Sequence, residues 1–310
     1  MKNLLVTSSP HISSPVTTRT IMLDVIIALM PAVICTVIQY GLRALILIAV
    51  SAATCTLTEY FWCRIAKKKI PCSDFSAVVT GILLALNVPA SLPVWQVIVG
   101  SIFSIAVVKQ LFGGIGCNFI NPALAGRIMM AMSFPTTMTA YAFSKQAVDI
   151  VSGATPLALI AEGSVENLRF VDMLLGRFGG VMADTCSLAF IIGGVYLVIR
   201  KVIKPYIPVS FMLSTLAFSA LFGSSAPFLS LFVGGLMVGS IFMATDYVTS
   251  PYTNYGKVVF GIGCGLIASL IRVFGNSAEG VSYAIVLMNL VVPYINDFTR
   301  NKPFGGGKKA

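Results

Sequence analysis

Charge is what this sequence has least of: only 10% of its 310 residues are Asp, Glu, Lys or Arg, against 57% hydrophobic. A water-soluble domain carries about a quarter charged residues, because its core must be covered by polar surface. Water is therefore excluded as the solvent for most of this chain, and a bilayer suits it instead. Histidine is nearly absent, with one residue, and the seven cysteines (Cys35, Cys55, Cys63, Cys72, Cys117, Cys186 and Cys264) form no Cys-x-x-Cys pair. Those two shortages argue against a zinc or iron–sulfur site built from this chain alone. No Ser/His/Asp arrangement stands out either, so no catalytic residue is assigned. Residues Met1 to Thr20 lack the basic start, apolar run and small-residue cleavage site of a secretory signal. The first apolar segment is expected to be a retained span.

What charge there is has a pattern. The net charge is +10, carried in short runs between apolar stretches, such as Arg64-Ile65-Ala66-Lys67-Lys68-Lys69 and Arg200-Lys201-Val202-Ile203-Lys204. Membrane loops carry orientation signals in this way. No basic domain with interleaved aromatics exists, which sets nucleic acid aside as a partner.

A span needs roughly 20 mostly apolar residues, fewer where neighbours shield it, and about ten candidates appear. They are Ile21–Tyr40, Leu42–Cys63, Phe75–Val88, Val94–Phe112, Pro122–Phe134, Thr185–Ile199, Pro208–Phe222, Phe228–Thr245, Lys257–Phe274 and Val281–Ile295. The third, fifth and eighth are short or broken by Gly and Pro. The expected fold is an all-α integral membrane protein in three parts: a membrane half over 1–134, an external segment over 135–184 and a second membrane half over 185–310. Two halves of five spans insert in opposite orientations, which is the plan of an inverted repeat. Of the 21 basic residues, Arg43, Lys145, Arg169, Arg177 and Arg272 fall on one side and Arg127 falls within a span. The remaining fifteen share the side of the termini, so the positive-inside rule predicts cytoplasmic N- and C-termini.

The segment Asp149-Ile150-Val151-Ser152-Gly153-Ala154-Thr155-Pro156-Leu157 has two readings. In one, Thr155 is a helix N-cap and Pro156 the first helical residue. In the other, Asp149 together with Ser152, Gly153, Ala154 and Thr155 forms a D-x-x-S-G-A-T pattern, which resembles the target of flavin transferases. Those enzymes join the FMN phosphate to the threonine hydroxyl, and Gly153 and Ala154 keep the approach open.

Compared as a whole, the chain resembles the D subunits of Rnf complexes, membrane-bound ferredoxin:NAD oxidoreductases. It is more distantly similar to the B subunits of sodium-translocating NADH:quinone reductases. Ser9-Pro10-His11, Met22-Leu23-Asp24-Val25, the run from Gly113 to Ala123, Ser152–Leu157, Met243-Ala244-Thr245-Asp246, Val248-Thr249-Ser250-Pro251 and Glu279–Ala284 carry the resemblance. It implies covalent FMN on Thr155, and it leaves room for a second, non-covalent flavin such as riboflavin. It also implies a bacterial inner-membrane location with the flavin loop on the outer face, partner subunits holding iron–sulfur clusters, flavin and nucleotide sites, and a flavin transferase for maturation. The complex would couple electron transfer to sodium or proton translocation. This chain has Ala183-Asp184 where the family commonly has Gly-Glu, and Asp246-Tyr247 where it has Asp-Pro. The short N-terminal stretch favours the Rnf assignment over the quinone-reductase subunit. A rival from another class is a cofactor-free inverted-repeat permease.

Three further residues are candidates for flavin contact: Asn118 in the Gly113–Pro122 loop, Arg127 and Asp246. The loop's glycines are equally a tight turn between spans, and it lacks the Lys-Ser/Thr of a phosphate-binding loop. Arg127 at membrane depth faces either the protein interior or an interface. Asp246 is also a candidate cap for the residues after it. Asp24 and Glu59 are expected at span ends as solvated carboxylates. The layout predicts that, in a cysteine-free background, single cysteines at Lys145 and near Ala310 are labelled from opposite sides of the membrane. Labelling of both from the cytoplasm would rule it out.

Overall fold

The computed structural model describes residues 16–67, 72–141, 155–164, 169–176, 178–275 and 280–300. Among them every regular element is helical. In the first half, α1 spans Thr18–Tyr40 and α2 Leu42–Ile65; α3 spans Ser76–Leu86, and α4 spans Val94–Ile102 and continues as π-helix over Phe103–Gln110. Then come α5 (Pro122–Ser133), the single turn α6 (Pro135–Met138), α7 (Pro156–Ala161) and α8 (Phe170–Leu175). The second half holds α9 (Ser187–Ile199), α10 (Tyr206–Leu221) and α11 (Leu236–Val238), which continues as π-helix over Gly239–Met243. It ends with α12 (Asn254–Phe274) and α13 (Gly280–Thr299).

Four helices, α1, α2, α12 and α13, are long and apolar enough to cross a membrane. At 1.5 Å per residue, α1 reaches about 35 Å, enough for a hydrocarbon core of about 30 Å. Thr17 starts α1 by accepting the Thr20 N–H at 3.3 Å, and Gly41, at φ 75°, turns the chain directly into α2. Pro31 in α1 and Pro293 in α13 are tolerated because neighbouring groups in a bundle can re-satisfy the freed carbonyls.

The eighth expected span does not form a continuous helix. Over Phe228–Thr245 the chain instead makes a 3-10 turn (Leu229–Phe232), passes Gly234 and Gly235 at φ 67° and 66°, and only then enters α11. Two successive left-handed glycines end any right-handed helix. The third expected span, α3, has 11 residues, about 16 Å, and cannot cross a bilayer alone. Of α3 only Val78 is not fully buried, and all of Leu236–Met243 is buried. Non-helical backbone at membrane depth is tolerated only under such protein cover.

The halves pack in a similar order. Helix α2 packs on α3 and α4, while α10 packs on α12 and on the π segment after α11. In the first half Ser51 meets Ser101 at 3.1 Å between α2 and α4; in the second Ser219 meets Ser269 at 3.2 Å between α10 and α12. Both pairs are buried hydroxyls that satisfy one another and nearby carbonyls: Ser51 donates to Gly81 O and Ser269 to Thr215 O. Small residues allow this closeness. A Cβ on Gly81 would lie 2.6 Å from the Ala52 Cα.

Candidate functional site

Helices α1, α3 and α5 and the two π segments border a cavity of about 410 Å³, a size suited to a small-molecule ligand. Its wall is mostly apolar (Met22, Val79, Leu83, Phe242), with Ser76, Lys109, Asn118, Asn121 and Asp246 as polar points. Two of the sequence-derived candidates, Asn118 and Asp246, therefore share one site. Arg127 and Thr155 are not on that wall.

The polar points are placed by the loops that the broken helices require. The Gly113–Pro122 loop turns with Gly113, Gly114 and Gly116 at φ 125°, 98° and 88°, so its glycines serve the turn, while Gly116 also lines the cavity. Asn118 donates to Ile120 O at 3.2 Å. Asn121 caps α5, accepting from the N–H groups of Ala123 at 3.0 Å and Leu124 at 3.4 Å, and its amide donates to Met243 O at 3.1 Å. Asp246 accepts from Thr249 Oγ1 at 3.1 Å, as a cap to the turn that follows, and lines the cavity.

Sequence reasoning missed the charge pair beside this cavity. Glu59, expected as a solvated carboxylate, is fully buried. Its Oε1 lies 2.8 Å from Lys109 Nζ and accepts from Gln110 Nε2 at 2.7 Å. Lys109 also donates to Ser76 Oγ at 2.6 Å, and Ser76 in turn donates to Asp74. Lys109 is thus a buried partner of Glu59 at the cavity wall and not a loop cation. Glu59 Oε2 is buried with no hydrogen-bond partner among the described residues. The available signal was a carboxylate inside the apolar run from Cys55 to Cys63. Asp24 is likewise buried; it accepts from Tyr196 at 3.0 Å and Arg200 at 3.3 Å, tying α1 to α9.

Arg127 is buried within the bundle. Its Nε donates to Asn87 O at 2.8 Å, the carbonyl left open where α3 ends, and its Nη1 to Ser282 Oγ on α13. A cation at a helix C-terminus also meets the negative end of the helix dipole.

Thr155 occupies the helix-cap position. Its hydroxyl accepts from the Ala158 N–H at 3.3 Å and starts α7, and the residue is half-buried. Asp149, Ser152, Gly153 and Ala154 lie outside the described residues. Leu157 and Ile160 of α7 are buried against Met173, Phe178 and Val233. This cluster lies by the C-terminal end of α1, where Gln39 donates to Leu175 O at 2.7 Å and Tyr40 to Gly180 O at 3.5 Å. The cavity lies by the other end of α1, at Thr18 and Met22. From Val25, the last α1 residue on the cavity wall, to Gln39 is 14 residues of helix, about 21 Å.

The Glu59–Lys109 pair yields a prediction. Lys109→Met leaves a buried carboxylate without its cation and should cost roughly 3–5 kcal/mol, whereas Glu59→Gln combined with Lys109→Met should recover most of it. Thermal unfolding in detergent checks this; a double variant no more stable than Lys109→Met would count against the pairing.

The model of the NQR2, RnfD, RnfE family matches residues 5–305. The chain is 44% identical to the D subunit of the Na(+)-translocating ferredoxin:NAD(+) oxidoreductase complex of Acetobacterium woodii, over 98% of this chain and 96% of that one. It is 36% identical to the D subunit of the proton-translocating ferredoxin:NAD(+) oxidoreductase complex of Clostridium ljungdahlii, over 98% and 97%. It is 34% identical to the D subunit of an ion-translocating oxidoreductase complex of Salmonella enteritidis, over 98% and 99%. With nearly its whole length matched and its helical bundle as described, the chain belongs to the NQR2, RnfD, RnfE family.

Proposed function

We propose that this chain is the flavin-carrying membrane D subunit of an ion-translocating ferredoxin:NAD oxidoreductase, with FMN held covalently on Thr155. The observation that supports it is the placement of Thr155: a half-buried hydroxyl at the start of a short helix whose other face is anchored in a buried apolar cluster. A bulky group on that oxygen can project outward while Leu157 and Ile160 hold the helix. FMN supplies one- and two-electron transfer when bound, and the protein sets its place and surroundings. Thr155 is then an anchor and not a nucleophile towards substrate.

A second, non-covalent flavin such as riboflavin suits the 410 Å³ cavity at the other end of α1. Asn118 and Asp246 would offer hydrogen bonds to a flat polar ring edge, and Met22, Leu83 and Phe242 would cover its faces. Among the described residues the one lysine on that wall is engaged by Glu59, so an uncharged flavin fits better than a phosphorylated one. The two serine pairs support a five-plus-five inverted repeat, the plan proposed for the membrane halves. The relatives named above carry sodium or protons in their names, and either ion is compatible with this chain. Iron–sulfur and nucleotide chemistry would belong to partner subunits in the bacterial inner membrane.

Two outcomes are expected from the complex co-expressed with a flavin transferase. Wild type should show an FMN-sized mass increase on the peptide containing Thr155 and in-gel fluorescence after denaturation; Thr155→Ala should lose both, and a purely capping threonine would instead cost only about 1 kcal/mol and leave the flavin signal intact. Separately, acid precipitation should release a non-phosphorylated flavin from wild type, and Asn118→Leu should reduce its amount without touching the Thr155 label. Equal release from both would remove Asn118 from the site.

A further inference from the structure

From within the 3-10 turn to the start of α11, the segment 230–235 is held by side chains as well as by local backbone bonds. Arg272, near the end of α12, donates Nη1 to Ser230 O at 2.8 Å and Nη2 to Val233 O at 2.9 Å and Gly234 O at 3.1 Å. Ser187, the first residue of α9, donates to Phe232 O at 2.7 Å. Asp184 accepts the Gly235 N–H at 2.6 Å. Three side chains, none more than 8% exposed, thus hold five backbone groups of six consecutive residues. Arg and Asp bonds of this kind are charge-assisted and stronger than neutral ones.

This segment is also the floor under α7. Leu157 and Ile160 pack on Val233, with Phe232 and Leu229 alongside. At Gly234 the fit is tight from both sides: an added Cβ would lie 2.7 Å from Leu157 Cδ2 and 2.8 Å from Arg272 Nη2. A small cavity of about 80 Å³, lined by Leu157, Ile160, Ser230 and Arg272 among others, lies beside this contact. A six-residue helix has too few hydrogen bonds to be stable alone, so its position is that of the surface it rests on.

We propose that Arg272, Asp184 and Ser187 are positioning residues for the Thr155-bearing helix, acting through the clamped 230–235 segment. Arg272 supplies the largest share, because one guanidinium fork fixes three carbonyls. Its value for electron transfer rests on the flavin assignment made above; the mechanical coupling of 230–235 to α7 does not.

The test uses the full complex, co-expressed with a flavin transferase and purified in detergent. Backbone deuterium uptake over 156–161 and 230–235 is followed together with the fluorescence anisotropy of the covalent flavin. Arg272→Lys keeps the charge and loses the fork. It should speed uptake in both segments by about tenfold, leave α1 and α13 unchanged, retain the FMN mass on Thr155 and lower the anisotropy. Faster uptake in 230–235 alone, with 156–161 and the anisotropy as in wild type, would overturn the proposal and leave Arg272 a support for α11 only. Unchanged uptake in both would overturn it as well. Should Arg272→Lys loosen every helix, Ser187→Ala, which removes one neutral bond, carries the same comparison with an expected increase of about fivefold. A wild type without the FMN mass defeats the flavin assignment, and the uptake of the two segments still decides the coupling.

Discussion

The rest of the structure depends on one constraint: backbone groups freed at membrane depth must find partners inside the protein. The bundle breaks its own helices at α3 and before α11, and each break leaves carbonyls that water cannot reach. Arg127 answers the end of α3 at Asn87 O, Arg272 answers Ser230, Val233 and Gly234, and Asn121 answers Met243 O. Each of these side chains comes from a part of the chain other than the helix whose carbonyl it meets. Arg127, through Ser282, and Asn121, through Met243, also cross between the halves. The polar residues of the interior therefore hold the two halves together as well as satisfying them.

The broken helices also explain where the open space lies. A straight apolar helix buries its backbone and leaves a wall of side chains. A π segment widens the helix and re-aims side chains, and such segments recur at functional sites. Here Lys109 belongs to one π segment and Phe242 to the other, and both line the cavity. Thr155 and its anchoring cluster lie by the far end of α1, so the cavity and the Thr155 helix are separate places in the fold.

Charge inside the bundle follows the same rule. Buried Asp24 meets the half-exposed Arg200 at the end of α9, and within the bundle Glu59 pairs with Lys109. Burying either charge alone would be strongly unfavourable, and pairing makes the burial tolerable without making it a large source of stability. Counting loop cations takes Lys109 and Arg272 as orientation signals, because sequence distance alone does not tell a helix end in water from one folded against a neighbour.

The sequence by itself determined the solvent, the class and nearly all the helices. Long unbroken hydrophobic runs satisfy their backbone in a bilayer by forming helix, and α1, α2, α12 and α13 begin and end within a few residues of the expected limits. Local chemistry also offered Thr155 as a helix start, since it precedes a proline at the first helical position. Only the tertiary structure decided that Asn118 and Asp246 share a cavity, that Arg127 does not line it, and that the eighth apolar run is broken. Those outcomes depend on partners more than a hundred residues away, such as Ser282 for Arg127 and Met243 for Asn121. Hydropathy records how much a residue avoids water, and it does not record which neighbour takes water's place.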